Sequence, residues 1–318
     1  MSRLDEAEII KIFQQSFGRK SKFVPEDVEL LRIGNTILVA KSDMLVESTD
    51  VPAGMKIDEV ARKSMVACVS DFASKGVKPL YCTVSLAIPR RFFELQIRKL
   101  ASGFVKASRE FDVKIVGGDV NEGKELIIEV SMFGISKKIV TRKGAKINDV
   151  IITSGPFGYS SAGLKIILNH CKADPKFIKK CKQKVFMPLP KLKFGLAIAN
   201  YLSSSMDSSD GLSTTLNDMS RQSDKKFVIT RLPTYAEVEK FAETNRIRLI
   251  DLVFHGGEEY EIVATVPQKN LARVKQIARN QRIQLFEIGC VTKGKNVIFQ
   301  RENKTATIQG RGWLHFKS

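Results

Sequence analysis

The feature that most restricts the fold is the alternation of helix-patterned and strand-patterned segments along the whole 318-residue chain. Apolar residues recur at helical spacing in three early segments, 4–17, 56–75 and 92–111. Short apolar, β-branched segments typical of strands lie at 35–43, 80–88, 113–119 and 125–135. Gly76 is a natural stop for the second helix. This alternation predicts the α/β (α+β) class.

The chain is longer than a single hydrophobic core usually serves, since cores stop growing at roughly 250–300 residues. A polar, charged segment near 138–145 separates two mixed halves. In the second half we expect helices at 161–170 and 210–220, and strands at 260–266, 283–289 and 296–300. We therefore predict an N-terminal domain over 1–140 and a C-terminal domain over 141–318.

The formal net charge of +18 favours contact with anions. The basic residues are spread along the chain without a basic tail or arginine-rich block, so nucleic acid is not the expected partner. Two explanations of the positive charge remain open: a basic surface without a specific role, and attraction of a nucleotide or phosphorylated substrate. Five cysteines without a C-x-x-C pair indicate reduced thiols. No apolar run reaches the roughly 20 residues of a membrane span, so we expect a soluble, cytoplasmic protein.

Six aspartates stand where elements are predicted to end or where loops lie: Asp27, Asp43, Asp71, Asp119, Asp207 and Asp210. Mg²⁺ takes oxygen ligands and usually combines carboxylates with substrate phosphates. The set therefore favours a magnesium-dependent site for a nucleotide and a phosphate acceptor. The alternative for each residue taken alone is a turn or a helix cap, and Asp210 is a plausible N-cap.

Three glycine-rich segments require separate interpretation. Residues 118–124 fit the start of a P-loop, but Glu125 replaces the hydroxyl residue and no helix is predicted to follow, which excludes that motif. Residues 155–164 enter a predicted helix and either cradle an anion or serve helix packing. Residues 255–262 form either a loop that lets the backbone approach a ligand or a simple turn.

Seven motifs occur in an order that resembles the thiamine-monophosphate kinase family, within the larger group of aminoimidazole-ribonucleotide synthetase. They are SDMLVESTD (42–50), VSDFASKGVKP (69–79), VGGD (116–119), TRKGAKINDVIITSG (141–155), MDSSDGL (206–212), GGEEYE (256–261) and GRGWLHF (310–316). The resemblance implies the two-domain fold of that group. It also implies a homodimer paired through the N-terminal sheets, with the active site beside the interface.

The resemblance further implies transfer of the γ-phosphoryl group of ATP to thiamine monophosphate without a covalent enzyme intermediate. The implied Mg²⁺ ligands are Asp27, Ser42, Asp43, Asp71, Asp119, Asp207 and Asp210. The implied nucleotide contacts are Gly118, Asp119, Arg142 and Ser209. The implied thiamine monophosphate contacts are Asp50, Glu258 and Trp313. The guanidinium group of Arg142 can bind a phosphate at two points, and the aromatic face of Trp313 suits a cationic heterocycle.

Several positions depart from the family pattern: Glu26 replaces Asp, Lys41 replaces Ser or Thr, Asp50 replaces His, Cys68 replaces Asn, Glu259 replaces Asp and Leu314 replaces Asp. Most of these changes spare the metal ligands and alter the acceptor side. One alternative is therefore another ATP-dependent enzyme of the same group, acting on a different phosphorylated or heterocyclic substrate. A non-catalytic nucleotide- or RNA-binding relative is a further alternative, although carboxylates without metal would repel a phosphate backbone.

Overall fold

The structure is a computed structural model that describes residues 4–17, 26–302 and 304–312. Within these residues, the N-terminal half consists of helices and strands in the following order: α1 (Glu6–Ser16), β1 (Glu29–Ile33), β2 (Thr36–Val46), α2 (Glu47–Asp50), α3 (Ile57–Lys75), β3 (Pro79–Pro89), α4 (Glu94–Phe111), β4 (Lys114–Gly123) and β5 (Ile127–Ser136). The strands form one sheet in the order β1-β2-β5-β3-β4. Only the β3–β4 pair in this sheet is parallel among the described strands.

The N-terminal sheet has one covered face and one open face. Burial alternates along β5, where Ile128, Val130 and Met132 are buried against α3, with α4 packed beside that helix. The residues between them point to the opposite side. Strand register places Ser42, Glu129 and Asp119 on that opposite side, which we call the open face.

The C-terminal half contains the remaining described elements: β6 (Val150–Thr153), α5 (Tyr159–Asn169), α6 (Pro175–Phe186), α7 (Leu192–Ile198), a 3-10 turn (Ala199–Tyr201), β7 (Ser204–Asp207), α8 (Leu212–Ser223), β8 (Lys226–Ile229), α9 (Ala236–Thr244), α10 (Leu249–Phe254), β9 (Ile262–Val266), α11 (Gln268–Asn280), β10 (Phe286–Thr292), β11 (Val297–Arg301) and β12 (Lys304–Thr307). Their strands form a mixed sheet in the order β12-β11-β8-β10-β6-β9-β7. Strand β7 is at the edge of this sheet, and it ends at Asp207.

Helix α3 connects the two halves. The Glu59 carboxylate accepts a hydrogen bond from the Lys56 N–H at its start, and the helix ends at Gly76, whose φ of 67° is left-handed. Nearly every residue from Val60 to Lys75 is buried, because α3 packs on β2 and β5 on one side and on α7, β7 and β9 on the other. Its charged residues therefore lie between two sheets.

The predicted fold class is confirmed, and the predicted helices and strands are present with small shifts in their ends. Residues 29–33, which precede the first predicted strand, form an additional strand, β1, because they pair with the long strand β2. The division into 1–140 and 141–318 stays a prediction. In the described part of the chain, no helix combines the length and hydrophobicity that a bilayer span requires.

Two predicted positions of aspartates were wrong. Asp43 does not close a strand, because β2 continues to Val46 in register with β5. Asp119 lies inside β4, which pairs with β3 as far as Gly123. Neighbouring strands thus override the low strand preference of aspartate. Asp210 lies just before α8, but the alternative that it caps this helix does not hold: the N-cap is Gly211, and no side chain of the described residues forms a capping hydrogen bond there.

Candidate active site

A pocket of about 490 Å³ lies where α3 meets the two halves of the chain. Its size falls within the roughly 300–1,000 Å³ that is usual for small-ligand sites. Five of the predicted metal ligands line this pocket: Asp27, Asp43, Asp71, Asp207 and Asp210. Predicted ligand contacts Arg142, Ser209, Asp50 and Glu258 line it as well. The fold thus brings most of the predicted site together.

Three buried carboxylates form the centre of the pocket wall. Asp27 precedes β1, Asp71 lies on the last turns of α3, and Asp207 ends β7. One carboxylate oxygen from each lies within 4.8 Å of the others. Residues from three separate elements therefore converge on one point, which is the arrangement expected of a divalent cation site.

Asp27 is held by fixed positive charges. Its carboxylate lies 2.6 Å from the Lys75 Nζ and accepts a 2.7 Å hydrogen bond from the Arg142 Nε. Lys75 is fully buried and also contacts Glu26 and the Ser205 carbonyl oxygen. Burial alone would raise the pKa of Asp27, but attraction by Lys75 and Arg142 outweighs it and lowers this pKa.

Asp71 and Asp207 have the opposite electrostatic character. Burial raises the pKa of Asp207 to about 7, and the nearby charge of Asp27 adds to the effect, although the Ser70 hydroxyl donates a 2.9 Å hydrogen bond to it. Burial also raises the pKa of Asp71 well above its ordinary value; attraction by Lys41 opposes this rise, and repulsion from Asp207 and Asp43 adds to it. Asp71 pairs with Lys41, whereas Asp207 takes part in no ion pair among the described residues.

The donor set fits Mg²⁺ on these grounds. Buried carboxylate oxygens are hard ligands, and the raised pKa values of Asp71 and Asp207 indicate that an added positive charge would stabilise their ionised forms. The buried Ser208 hydroxyl beside Asp207 makes no hydrogen bond within the described residues.

Two loops of the C-terminal half close the pocket by contact between their backbones. The Glu258 N–H donates to the Ser209 carbonyl at 2.6 Å, and the Tyr260 N–H donates to the Ser208 carbonyl at 3.1 Å. A Cβ on Gly257 would lie 2.7 Å from the Ser209 carbonyl oxygen, which explains the glycine. Glu258 and Tyr260 have left-handed φ values of 63° and 51°, a strained conformation typical of functional loops.

The predicted acceptor side has its own charged residues. Lys63 of α3 is almost fully buried, and its Nζ contacts the Glu258 carboxylate and donates to the Asp50 carbonyl oxygen at 2.9 Å. The Asp50 carboxylate accepts a 2.7 Å hydrogen bond from the Val46 N–H. Lys63 thus joins α2 to the 256–258 loop. The sequence interpretation missed Lys63, because a lysine on a helix is usually a solvated residue.

Two domain families of known proteins match most of the chain. The AIR synthase related protein N-terminal domain matches residues 25–136, and the corresponding C-terminal domain matches 146–302. The thiamine-monophosphate kinase of Nitrosopumilus maritimus is 48% identical over the full length of both chains. The chain belongs to the thiamine-monophosphate kinase family. The predicted resemblance is therefore confirmed.

Two further members of the thiamine-monophosphate kinase family extend the comparison. The kinase of Pyrococcus horikoshii is 32% identical, with 100% of this chain and 98% of the relative covered. The solved structure of AaThiL complexed with AMPPCP and TMP has a TM-score of 0.85 at 25% identity, covering 99% of each chain. These matches do not favour the alternative of an aminoimidazole-ribonucleotide synthetase-like activity.

Three of the predicted site residues that the structure describes are not among those that line this pocket. Gly118 and Asp119 are exposed on β4, and the Ser42 hydroxyl contacts Glu129 on the open face. Their predicted roles stay predictions. Trp313 and Leu314 lie outside the described residues. Cys68 is buried beneath β2 and β5, where its thiol contacts the Val130 carbonyl at 3.2 Å.

The glycine-rich segment 155–164 does not present a free helix end. The Glu259 carboxylate accepts hydrogen bonds from the Gly158 N–H at 2.7 Å and the Ser160 N–H at 3.0 Å. A side chain of the 256–261 loop therefore satisfies the start of α5. This favours helix packing over an anion cradle for that segment.

Proposed function

We propose that this chain transfers the γ-phosphoryl group of ATP to thiamine monophosphate, giving thiamine diphosphate and ADP, in a Mg²⁺-dependent reaction. The observation that carries the proposal is the group of buried carboxylates of Asp27, Asp71 and Asp207 on the wall of a ligand-sized pocket in a member of this kinase family. The proposed location of the enzyme is the cytoplasm.

The residues of the pocket suit the positioning of phosphates. Asp27, Asp71 and Asp207 would hold Mg²⁺, with Asp43 and Asp210 on the same wall. When bound, Mg²⁺ supplies positive charge to the phosphates and neutralises charge that develops during transfer. The Arg142 side chain is only 13% exposed and is oriented by Asp27 and Asp218, so its guanidinium needs little ordering to meet a phosphate.

The acceptor would bind between α2 and the 256–258 loop. Asp50 and Glu258 face this part of the pocket, and Lys63 fixes both segments. A cationic thiamine ring would be attracted by these acids. Lys63 lines the same pocket and would attract the phosphate. The proposed contact of Trp313 with the thiamine ring comes from the sequence resemblance alone.

We propose in addition that the chain is a homodimer paired through the open face. This face carries exposed apolar side chains, including Leu31 at 52% and Ile135 at 57% exposure. Strand β4 is an unpaired edge in the single chain and exposes Val116 and Val120. Exposed apolar edges of this kind are usually covered, because they otherwise promote aggregation.

The dimer is tested by light scattering on Ile135→Asp. We expect the variant to have half the wild-type mass at the same concentration. The matched control is Val105→Asp, which adds the same charge at an exposed apolar position on α4, away from the sheet. Loss of the dimer in both variants, or in neither, would contradict pairing through this face.

The proposed reaction is tested by an end-point assay with ATP, Mg²⁺ and thiamine monophosphate, with products separated by chromatography. Thiamine diphosphate and ADP are expected in equal amounts, and only with both acceptor and metal present. Formation of ADP without thiamine diphosphate would show that the acceptor is a different molecule. Absence of any turnover with folded protein would contradict the phosphotransferase itself.

A further inference from the structure

We propose that Lys41 is a tethered cation that occupies one divalent-cation position at the Asp43–Asp71 side of the pocket, so that the chain binds one metal ion fewer than its carboxylates would otherwise hold. The inference rests on the proposed metal-dependent function, and it concerns a residue whose type departs from the family pattern.

The geometry of β2 directs Lys41 into the pocket. Lys41 and Asp43 are two residues apart and therefore share a face of the strand, while Ser42 points to the open face. The Lys41 Nζ lies 2.9 Å from the Asp71 Oδ2 and 3.4 Å from the Asp43 Oδ1. The ammonium group thus bridges two carboxylates that come from different elements.

The other cationic side chains of the pocket pair with acids other than Asp43 and Asp71. Lys75 and Arg142 are committed to Asp27, and Lys63 contacts Glu258 and the Asp50 carbonyl oxygen. Among the ion pairs of the described residues, Asp43 and Asp71 pair only with Lys41.

A lysine ammonium and a Mg²⁺ ion require the same carboxylate oxygens but differ in geometry. Mg²⁺ needs oxygens at roughly 2.0–2.1 Å in an octahedron, whereas an ammonium group donates hydrogen bonds over a longer distance. The Lys41 Nζ lies beside both the Asp71 Oδ2 and the Asp43 Oδ1, so a metal ion shared by these two oxygens would stand next to the ammonium group and be repelled by its charge. Removal of the lysine would leave an uncompensated pair of acids, which a divalent cation would fill.

The test counts metal ions directly, without nucleotide. Mn²⁺ is titrated into the metal-free full-length protein, and free Mn²⁺ is followed by electron paramagnetic resonance. Lys41→Met is expected to bind one more ion per chain than the wild type, because the positive charge that repels a cation from Asp43 and Asp71 is lost. Lys41→Arg keeps a cation and is expected to return the number to the wild-type value.

Lys78→Met is the matched control, because Lys78 is an exposed lysine paired with Asp112 and its loss changes the net charge equally. Thermal melting verifies that each variant is folded, and Lys41→Gln replaces Lys41→Met if the latter does not fold. An unchanged number of ions in Lys41→Met, or in Lys41→Gln where it replaces that variant, with wild type that binds Mn²⁺ and forms thiamine diphosphate, would overturn this proposal alone. No Mn²⁺ binding by any variant and no product would overturn both proposals.

Discussion

The two sides of the acidic pocket are neutralised in different ways. On one side, Asp27 is surrounded by the fixed charges of Lys75 and Arg142, and its pKa is lowered. On the other side, burial raises the pKa of Asp207 to about 7 and that of Asp71 well above its usual range. The three carboxylates nevertheless approach each other within 4.8 Å.

This difference separates the stability of the fold from the capacity to bind a metal. The Asp27 side is complete without any ligand, because every charge there has a partner in the protein. On the other side, Lys41 pairs with Asp71, but Asp207 has no ion-pair partner among the described residues, so an added cation would stabilise Asp207 most. Buried pairs are costly to break, whereas uncompensated acids are poised to gain a ligand.

Breaking the ion pairs around Asp27 is expected to have the largest effect on stability. Lys75→Met removes the buried ammonium from Asp27 and Glu26 and should lower the free energy of unfolding by about 3–5 kcal/mol. Urea denaturation measures this loss. Lys78→Met, three residues further along the chain, breaks an exposed pair and should cost at most about 1 kcal/mol. Equal losses in the two variants would contradict the importance of the Asp27 side.

Replacing Asp71 is expected to affect turnover more than folding. Asp71→Asn keeps the shape of the side chain but removes a ligand charge, so the rate of thiamine diphosphate formation should fall about 100-fold or more. The free energy of unfolding, measured in urea, should change little. Asp112→Asn makes the same chemical change at an exposed position and serves as the control. Near-normal turnover of Asp71→Asn in excess Mg²⁺ would show that the assigned ligand is wrong.

The raised pKa of Asp207 predicts how stability depends on pH. Between its ordinary pKa near 4 and about 7, the folded protein keeps a proton that the unfolded chain has released. The metal-free protein should therefore lose stability as pH rises through this window, by an amount on the order of 2 kcal/mol. Urea unfolding at pH 5 and pH 8 in the presence of a chelator measures the slope. Asp207→Asn should make it shallower, and an unchanged slope would contradict the assignment.

The smallest expected effect comes from removing a single hydrogen bond to Asp207. Ser70→Ala removes the 2.9 Å bond from the Ser70 hydroxyl to Asp207 and should lower the free energy of unfolding of the metal-free protein by about 1 kcal/mol. Ser64→Ala on the same helix is the control, since among the described residues that hydroxyl bonds only to the Ala61 carbonyl of its own helix. Thermal and urea unfolding compare the two, and a larger loss in Ser64→Ala would oppose the assignment.

The fold and the carboxylate set were largely predictable because they depend on local patterns. Hydrophobic spacing located α3, and Gly76 marked its end. The aspartates at 27, 71, 207 and 210 stood out as acids next to apolar segments, and all of them line the pocket. The positions of Asp43 and Asp119 within strands were not predictable in this way, since pairing with β5 and β3 sets the strand ends.

The neutralising lysines could not be found from local pattern. Lys75 occupies the last turn of α3, where a lysine ordinarily complements the helix dipole in solvent. Only the packing of α3 between two sheets buries it against Asp27. Lys63 was missed for the same reason. Lys41 was noticed as a departure from the family pattern, but its contact with Asp71 depends on how β2 and α3 cross.

The most direct test of the central claim follows the phosphoryl group itself. ATP labelled with ³²P at the γ position is incubated with the enzyme and thiamine monophosphate, with and without Mg²⁺, and the products are separated. We expect the label to appear in thiamine diphosphate only when Mg²⁺ is present, and Asp71→Asn to slow its appearance greatly. Label released as inorganic phosphate at the same rate with and without thiamine monophosphate would contradict it.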